Sequence, residues 1–407
     1  MTLPKFVQIH FLTSYAAALL NRDDSGLAKR LPYGGAMRTR VSSQCQKRHW
    51  RVSDSVFALN NIDGAEDSFR SRDLVTKLIR GPFEGQVPAA VLDAVEPLFQ
   101  VAVYGKTKKD KEAEKEKGAA KGKGADKEGV SKQQRQPLLM GAPEIRFLRE
   151  KFGEIVTSTS DPAEARAAAE AFCAEKEFKV IMKEMREGAA LHMGLPAALF
   201  GRMVTSDTTA NIDAPIHVAH AFTVHAEETE SDYFAVVDDL SGPGDAGADH
   251  LGEVEINSGL YYGNVVIDVP GLVSNLTGTD RAKWTEADRT LAAEVVAHLI
   301  NLVAETSPGA KKGSTAPHAY AHTVLVELGD RQPRTLAAAF RTPVRPSFEA
   351  SEEALAAHLG EHDRAYETGE ARRFLSLRNA AQFPGAERAT MRELTDWVRG
   401  AILDGAA

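Results

Sequence analysis

The residues best suited to chemistry in this sequence form a basic block at positions 21–51. Ser42, Ser43 and Gln44 add hydroxyl and amide groups, and Gly34 and Gly35 allow a sharp turn or a close backbone approach. Only two carboxylates oppose eight cations, which gives a formal +6 within a chain of net charge −8. Such groups bind the backbone of a polyanion without reading its sequence. The cations are Arg22, Lys29, Arg30, Arg38, Arg40, Lys47, Arg48 and Arg51.

Part of this basic block has the signature of a helix that begins at a serine. Ser42 or Ser43 can cap a helix N-terminus, which is itself a favourable place for a phosphate. Helical spacing then places four side chains on one face: Gln44, Lys47, Arg48 and Arg51. Any single cation could equally belong to a solvated helix face, so the prediction depends on the whole cluster.

The other residues with chemical potential support weaker predictions. His217, His220 and His225 lie close in sequence, but their spacing matches no usual metal motif. Cys45 and Cys173 are far apart and lack the Cys/His spacing of a zinc site or a disulfide framework. We therefore predict no metal site, no cofactor and no catalytic residue.

The composition is typical of a folded protein without a membrane segment. Of 407 residues, 43% are hydrophobic, enough for a sizeable core in one large domain or in several. No stretch approaches the roughly 20 apolar residues of a membrane span, and residues 1–15 lack the features of a signal peptide. Two isolated cysteines fit a reducing compartment, so we predict a cytoplasmic protein. The net charge of −8 means that any nucleic acid must bind a local basic track.

Hydrophobic patterns predict a mixture of strands and helices. Residues 6–13 alternate as a first strand, with His10 on its less apolar face as a surface side chain, and residues 20–33 are predicted to be loop. Residues 216–226 fit either a strand or a short helix. The remaining predicted helices are 67–80, 87–103, 142–186, 286–304, 333–340 and 387–402, and the remaining strands are 231–240, 253–269 and 320–328.

Two segments stand apart from this pattern. Residues 105–136 are rich in Lys and Glu and hold no aromatic residue, so we predict a disordered loop that could touch RNA loosely. Residues 231–240 and 253–269 flank a Gly-rich tip and predict a projecting hairpin, where Tyr233 and Phe234 could pack in the core or stack on bases. Without insertions the order is β-α-β-β-α-β, the ferredoxin-like arrangement that includes the RNA-binding RRM. The predicted fold class is α+β.

The chain carries a series of recognisable motifs: QIHFLTSY, NRDDSGLAKR and YGGAMRTRVSSQCQKRHWR in the N-terminal part, followed by GRMVTSD, VAHAFTVH, SDYFAVVDDLS, HLGEVEINSGLYY, PGAKKGSTAPHAY and TMRELTDWVRG. In this order they resemble the CasC family, the backbone subunit of the type I-E CRISPR Cascade complex. The resemblance covers nearly the full length. In two places the chain departs from the family: Tyr233 stands where a tryptophan is familiar, and residues 105–136 expand a helical lobe.

The resemblance implies a hand-shaped, non-catalytic RNA-binding subunit. A modified RRM palm would comprise residues 1–55, 199–222 and 259–407, with helical fingers at 56–198 and a thumb at 223–258. Copies would stack head to tail along the CRISPR RNA, the thumb would flip out a nucleotide at intervals, and the other guide bases would pair with a target DNA strand. Other Cascade subunits would be further partners, and no membrane is implied.

The resemblance also implies roles for individual residues. Positions that hold the phosphates and sugars of the guide correspond to Arg22, Lys29, Ser42, Gln44, Lys47 and Arg51. Met203 and Phe234 correspond to positions that pack on bases at the kink, and Lys311, Lys312 and Ser314 are further candidates. Cations without sequence preference, together with an apolar wedge, suit a protein that must accept any guide sequence.

Three alternative functions stay open at the level of the sequence. A metal-dependent ribonuclease could use Asp23 or Asp24, although Arg22 beside them offers an ion-pair partner and favours a structural role. A purely structural, self-assembling protein would make the basic block incidental. A thiol hydrolase would need Cys45 and a distant histidine, and it has the least support.

Overall fold

The computed structural model describes residues 3–105, 136–188, 191–204, 207–236 and 250–405. The predicted disordered loop at 105–136 falls almost entirely outside these ranges, and so does the Gly-rich tip of the predicted hairpin. Among the helices that the structure describes, none combines the length and the apolar character needed to cross a bilayer.

Strands and helices alternate irregularly along the chain. The strands are β1 (Phe6–Ala18), β2 (Arg30–Tyr33), β3 (Ala36–Val41), β4 (Ser68–Ser71), β5 (Leu138–Gly141), β6 (Ile216–Val218), β7 (Ala221–Thr223), β8 (Glu228–Val236), β9 (His250–Asp268), β10 (Thr323–Gly329), β11 (Ala371–Ser376) and β12 (Ala386–Arg388). The α-helices are α1 (Ser43–Arg51), α2 (Ala89–Tyr104), α3 (Ala142–Ser158), α4 (Pro162–Phe172), α5 (Glu175–Gly188), α6 (Leu195–Phe200), α7 (Val269–Thr277), α8 (Thr290–Glu305), α9 (Lys312–Thr315), α10 (Phe348–Tyr366) and α11 (Met391–Asp404). Short 3₁₀ turns include Ala337–Phe340, and Val75–Arg80 is π-helical.

The chain forms two compact units. The first comprises Met1–Ile62, Ile216–Leu272 and Asp288–Ala407, and the second comprises Asp63–Pro215 and Val273–Ala287. The second unit contains most of the segment that the sequence predicts to be a helical insertion. The boundaries of palm, fingers and thumb themselves stay predictions.

A large sheet organises the first unit. Its strand order is β12-β11-β10-β1-β9-β7-β3-β2, and β6 and β8 also pair with β9. Strand β1 is central and runs antiparallel to both β9 and β10, while β11 and β12 are parallel. Strand β8 pairs with β9 along its whole length, so these two segments form the predicted antiparallel arrangement. The mostly antiparallel sheet, with helices such as α1 and α8 between its strands in the sequence, confirms the α+β class.

Packed helices cover both faces of this sheet around its central strand β1. Phe11 and Thr13 of β1 lie on the face that meets Trp50 of α1 and Val303 of α8. Leu12 lies on the opposite face, in a buried cluster with Leu355 of α10, Phe340 and other apolar side chains. Helix α11 packs on α8 and β11. The alternation of β1 therefore separates two buried faces rather than a core face and a solvent face.

This double coverage makes one sequence prediction wrong. His10 is fully buried rather than a surface histidine. Its Nδ1 lies 2.9 Å from the Tyr262 hydroxyl and its Nε2 lies 3.1 Å from Glu327 Oε1. Glu327 also accepts hydrogen bonds from Arg334 and Arg372. The polar positions of β1 are tolerated inside because a buried ionic network satisfies them.

The helical unit is built around its own core. Val95 and Phe99 of α2, Leu148 and Phe152 of α3 and Ala169 of α4 belong to one buried cluster. The predicted helices at 87–103 and 142–186 are thereby confirmed. The prediction of one helix at 67–80 is wrong, because Ser68–Ser71 forms a strand with β5 before the π-helical segment begins.

Candidate nucleic-acid interface

The basic block folds as a short hairpin that leads into a helix. Strands β2 and β3 pair antiparallel, with Tyr33 opposite Ala36, so the prediction of a loop throughout 20–33 is wrong for its last four residues. Gly34 and Gly35 form the turn with φ values of +62° and +80°. A Cβ on Gly34 would collide with the backbone carbonyl of Arg341. The glycine pair therefore provides both the sharp turn and the close approach that the sequence allows.

Asn21 ties the loop that precedes this hairpin to the start of α1. Its side-chain Oδ1 accepts a hydrogen bond of 2.9 Å from the backbone N–H of Ser42. Its backbone carbonyl accepts one of 2.9 Å from the N–H of Lys29, whose own carbonyl accepts from the N–H of Arg40. Through these contacts the chain beside exposed Arg22 and the chain at Lys29 are fixed near the N-terminus of α1.

Helix α1 has the cap and the polar face that its sequence predicts. Ser42 is the N-cap, and its Oγ accepts from the N–H of Cys45 at 3.3 Å. Gln46 and Trp50 face the core. The opposite face is exposed at Gln44 and Arg48 and half-buried at Lys47 and Arg51. Because Ser42 is buried and its hydroxyl already caps the helix, it supports the interface through the helix terminus.

Three of the block's eight cations serve the fold. Arg38 is fully buried and donates to the carbonyls of Thr223 at 2.9 Å and Phe340 at 3.0 Å. Arg30 pairs with Glu227 and with Glu255. Arg40 donates to the carbonyl of Arg30 and lies 3.1 Å from Nδ1 of His220. The formal charge of the block therefore overstates the charge that a ligand would meet.

Burial, and to a smaller extent neighbouring cations, shift the pKa values of titratable groups around α1. Burial, together with the charges of Arg40 and Lys29, lowers the pKa of His220. Burial raises the pKa of the Cys45 thiol, and the charge of Lys29 opposes that shift. Burial also lowers the pKa of the Lys47 ammonium. The attraction between an anion and a half-desolvated ammonium is stronger than that between an anion and a fully solvated one, because less water screens the pair.

The two aspartates of the loop differ in their role. Asp23 Oδ1 accepts from the backbone N–H groups of Ser25 at 2.9 Å and Leu27 at 3.0 Å, which shapes the loop. Asp24 is exposed. Within the residues that the structure describes, no three His, Cys, Asp or Glu side chains are placed to share a metal ion.

Two candidate residues that are distant in the sequence meet near the outer described end of the β8–β9 ribbon. The Nζ of Lys311 lies 5.8 Å from the centroid of the Phe234 ring, within the range of a cation–π contact. Phe234 is 38% exposed, and its neighbour Tyr233 is 64% exposed. Lys312, one residue further along, is exposed.

Met203 lies in the second unit and is 81% exposed, unusual for a large apolar side chain. Its neighbour Arg202 holds the segment in place. The Arg202 backbone exchanges two hydrogen bonds with Ile212, and its guanidinium pairs with the buried carboxylate of Glu144. Burial raises the pKa of Glu144, but Arg202 and Arg186 outweigh it and hold that pKa below its usual value. An anchored backbone thus presents a solvent-facing methionine.

Two residues that shape the interface, Asn21 and Gly252, were not identified from the sequence. Asn21 belongs to the quoted NRDD motif, and an Asn in a loop beside a helix cap is a usual acceptor for backbone N–H groups. Gly252 lies directly opposite Phe234 in the β8–β9 ribbon, and no local pattern shows that pairing.

The comparisons with known proteins agree with the fold described above. A family model described as CT1975-like protein, of the Cas_CT1975 family, matches residues 7–399. The chain belongs to this family. A search of curated proteins finds no match.

Solved structures match almost the whole chain. One, titled "CRISPR RNA-guided surveillance complex, pre-nicking", is 24% identical, with 98% of this chain and 100% of that chain covered and a TM-score of 0.75. Another, titled "CRISPR RNA-guided surveillance complex", is 19% identical, with 97% and 99% covered and a TM-score of 0.55. These similarities establish a shared α+β fold.

Proposed function

We propose that this chain is the non-catalytic, RNA-binding backbone subunit of a Cascade-type CRISPR surveillance complex. Family membership and a fold shared over nearly its full length with chains of RNA-guided surveillance complexes support the proposal. The observation that carries it is the cationic N-terminal end of α1, where Asn21 brings Arg22 and Lys29 beside the cap and Lys47 and Arg51 extend along the helix. The sequence motifs favour the CasC subunit of the type I-E complex.

The covered sheet determines where RNA can bind in this proposal. An RRM stacks bases on the open face of its sheet. Here β1 is buried on both faces, under α1 and α8 on one side and under α10 and Phe340 on the other. We therefore propose a modified RRM palm in which the guide backbone runs along the exposed face of α1.

The chemistry of this surface fits a guide of any sequence. Lys47, Arg48 and Arg51 neutralise phosphates without contacting base edges. The capped N-terminus of α1 adds oriented backbone N–H groups. Guide bases are then free to pair with a target DNA strand, while further copies of the chain and other Cascade subunits extend the complex in the cytoplasm. Base pairing, rather than the protein, supplies sequence specificity.

Co-purification with RNA tests this proposal. The full chain is expressed with a CRISPR transcript and separated by size exclusion, with absorbance recorded at 260 and 280 nm and the RNA then digested with nuclease. We expect a nucleic-acid-rich species that protects RNA of regular length. Lys47→Glu/Arg51→Glu should abolish it. Arg392→Glu is the matched control, since Arg392 is exposed in the first turn of α11, where a carboxylate is favourable.

The outcomes separate the proposal from its alternatives. If the double variant stays folded and retains the protected RNA, the basic face of α1 does not bind the guide. If neither the chain alone nor the chain co-expressed with the other Cascade subunits retains RNA, the RNA-binding role is wrong. If bound RNA is cut in the presence of Mg²⁺ and Asp23→Asn or Asp24→Asn prevents cutting, the subunit is a ribonuclease.

A further inference from the structure

The ring of Phe234 lies across a glycine on the neighbouring strand. Phe234 and Gly252 are directly opposite each other in the β8–β9 ribbon. A Cβ on Gly252 would lie 2.7 Å from Cε1 and 2.9 Å from Cε2 of the ring, and closer still to Cζ. Such distances leave no room for any side chain, so only glycine permits this ring position. An aromatic ring laid over a cross-strand glycine fixes its own rotamer by covering the exposed backbone.

Lys311 reaches the same ring from a rigid turn. The carbonyl of Lys311 accepts hydrogen bonds from the Thr315 N–H at 3.1 Å and from the Thr315 hydroxyl at 2.8 Å. The N–H of the preceding residue, Ala310, donates a hydrogen bond of 2.9 Å to the carbonyl of Leu19, one residue beyond β1. A backbone held on both sides limits where the ammonium can go, and it lies over Phe234. The contact requires ordering of the flexible lysine side chain, and the fixed backbone keeps that side chain within reach of the ring.

We propose that Gly252 and Lys311 hold the ring of Phe234 in place, which makes Lys311 a positioning residue that acts on RNA through this ring. The inference rests on the proposed function, in which Phe234 packs on a base. A base stacks well only if the aromatic surface is already oriented, because ordering the ring at the moment of binding reduces affinity. Lys312, next in sequence and exposed, would instead meet phosphates as an ordinary cation.

A double-mutant cycle distinguishes these two roles. RNA affinity of the full chain is measured by filter binding with a single-stranded CRISPR transcript, for Lys311→Met in the native and Phe234→Ala backgrounds. Lys312→Met is the matched control. We expect Lys311→Met to weaken binding about two- to fivefold with Phe234 present and to have no effect without it. Lys312→Met should weaken binding equally in both backgrounds and lower the slope of log K against log salt by about 0.7.

A second measurement needs no RNA. The full chain carries 4-fluorophenylalanine at position 234, and its ¹⁹F resonance is recorded for Lys311→Met, Gly252→Ala and Lys312→Met. We expect the first two changes to move or broaden the resonance and the third to leave it unchanged. An unchanged resonance in Lys311→Met, or an equal loss of RNA affinity in both backgrounds of the cycle, overturns the positioning role and leaves the proposed function standing. A native chain that binds no RNA overturns the proposed function, and with it the inferred role of the ring.

Discussion

Replacing Asn21 with alanine should weaken RNA binding although Asn21 carries no charge. The change removes the Oδ1 acceptor that ties the loop to the buried Ser42 N–H. That N–H is left near the core without its partner, which costs about 1–3 kcal/mol of unfolding free energy. Arg22 and Lys29 keep their charges but lose the fixed backbone that brings them to the N-terminus of α1.

The expected loss of affinity follows from the ordering that RNA must then supply. Fixing one residue of backbone costs roughly 1–2 kcal/mol, so the dissociation constant should rise roughly tenfold. The number of phosphates neutralised does not change, and the salt dependence of binding should therefore stay as it is.

Urea unfolding and filter binding at several salt concentrations measure both effects. Asn61→Ala is the matched control, because the Asn61 side chain also binds loop backbone, although as a donor, to the carbonyls of Ser55 and Val56. Asn61 is exposed and lies outside the basic block. We expect Asn61→Ala to leave affinity unchanged. Asn21→Ala that loses stability but keeps native affinity would refute the view that this loop is preorganised for RNA.

Three further predictions concern the fold that supports the interface. Gly34→Ala should destabilise the first unit by about 2 kcal/mol or more, because the added Cβ meets the carbonyl of Arg341 and the φ is +62°. Gly35→Ala should cost only the backbone strain of its positive φ, about 1 kcal/mol. Thermal unfolding compares the two variants. Arg38→Met should lower the free energy of unfolding by about 3 kcal/mol and leave the salt dependence of RNA binding unchanged. Arg48→Met should leave the free energy of unfolding unchanged and reduce the salt dependence of RNA binding. Urea unfolding and salt titration of RNA binding measure the two quantities. Burial and the nearby carboxylate of Glu327 raise the pKa of Glu370 to about 7, so between about pH 4.5 and 7 the folded chain holds a proton that the unfolded chain has released. The free energy of unfolding should therefore fall, by at most about 3 kcal/mol, as the pH rises through this range. Glu370→Gln should remove that decline when urea unfolding is measured at each pH.

Local pattern was sufficient for the elements whose signals lie within a few residues. A cap at Ser42 or Ser43, the polar face of α1 and the turn at Gly34 and Gly35 follow from residue type and spacing. The structure confirms them and places the cap at Ser42. The segments that became β9 and α8 were also predicted, because each has a long apolar pattern of one period. The α+β class followed from their order.

The predictions that were wrong concern residues whose partners are distant in the sequence. His10 was predicted at the surface, but Tyr262 and Glu327 satisfy it from 252 and 317 residues away. Arg38 belongs by charge to the basic block, yet it is buried and donates hydrogen bonds to the carbonyls of Thr223 and Phe340. A charge count cannot separate a cation that serves the fold from one that meets a ligand. The roles predicted for individual residues in RNA binding stay predictions until the variants are measured.

The central position of β1 also constrains the synthesis of the protein. Strand β1 is made before either neighbour, and its contacts to β10 span about 317 residues, as the His10–Glu327 pair does. At about 5–20 residues per second, the ribosome needs roughly 15 s to a minute to supply that partner. Residues 63–215, the larger part of the second unit, are made in that interval. Strand β1 meanwhile remains an apolar strand with two open edges, which can pair with other nascent chains. The yield of soluble protein should therefore depend on how well chaperones shield β1 during translation, more than on the final stability of the sheet.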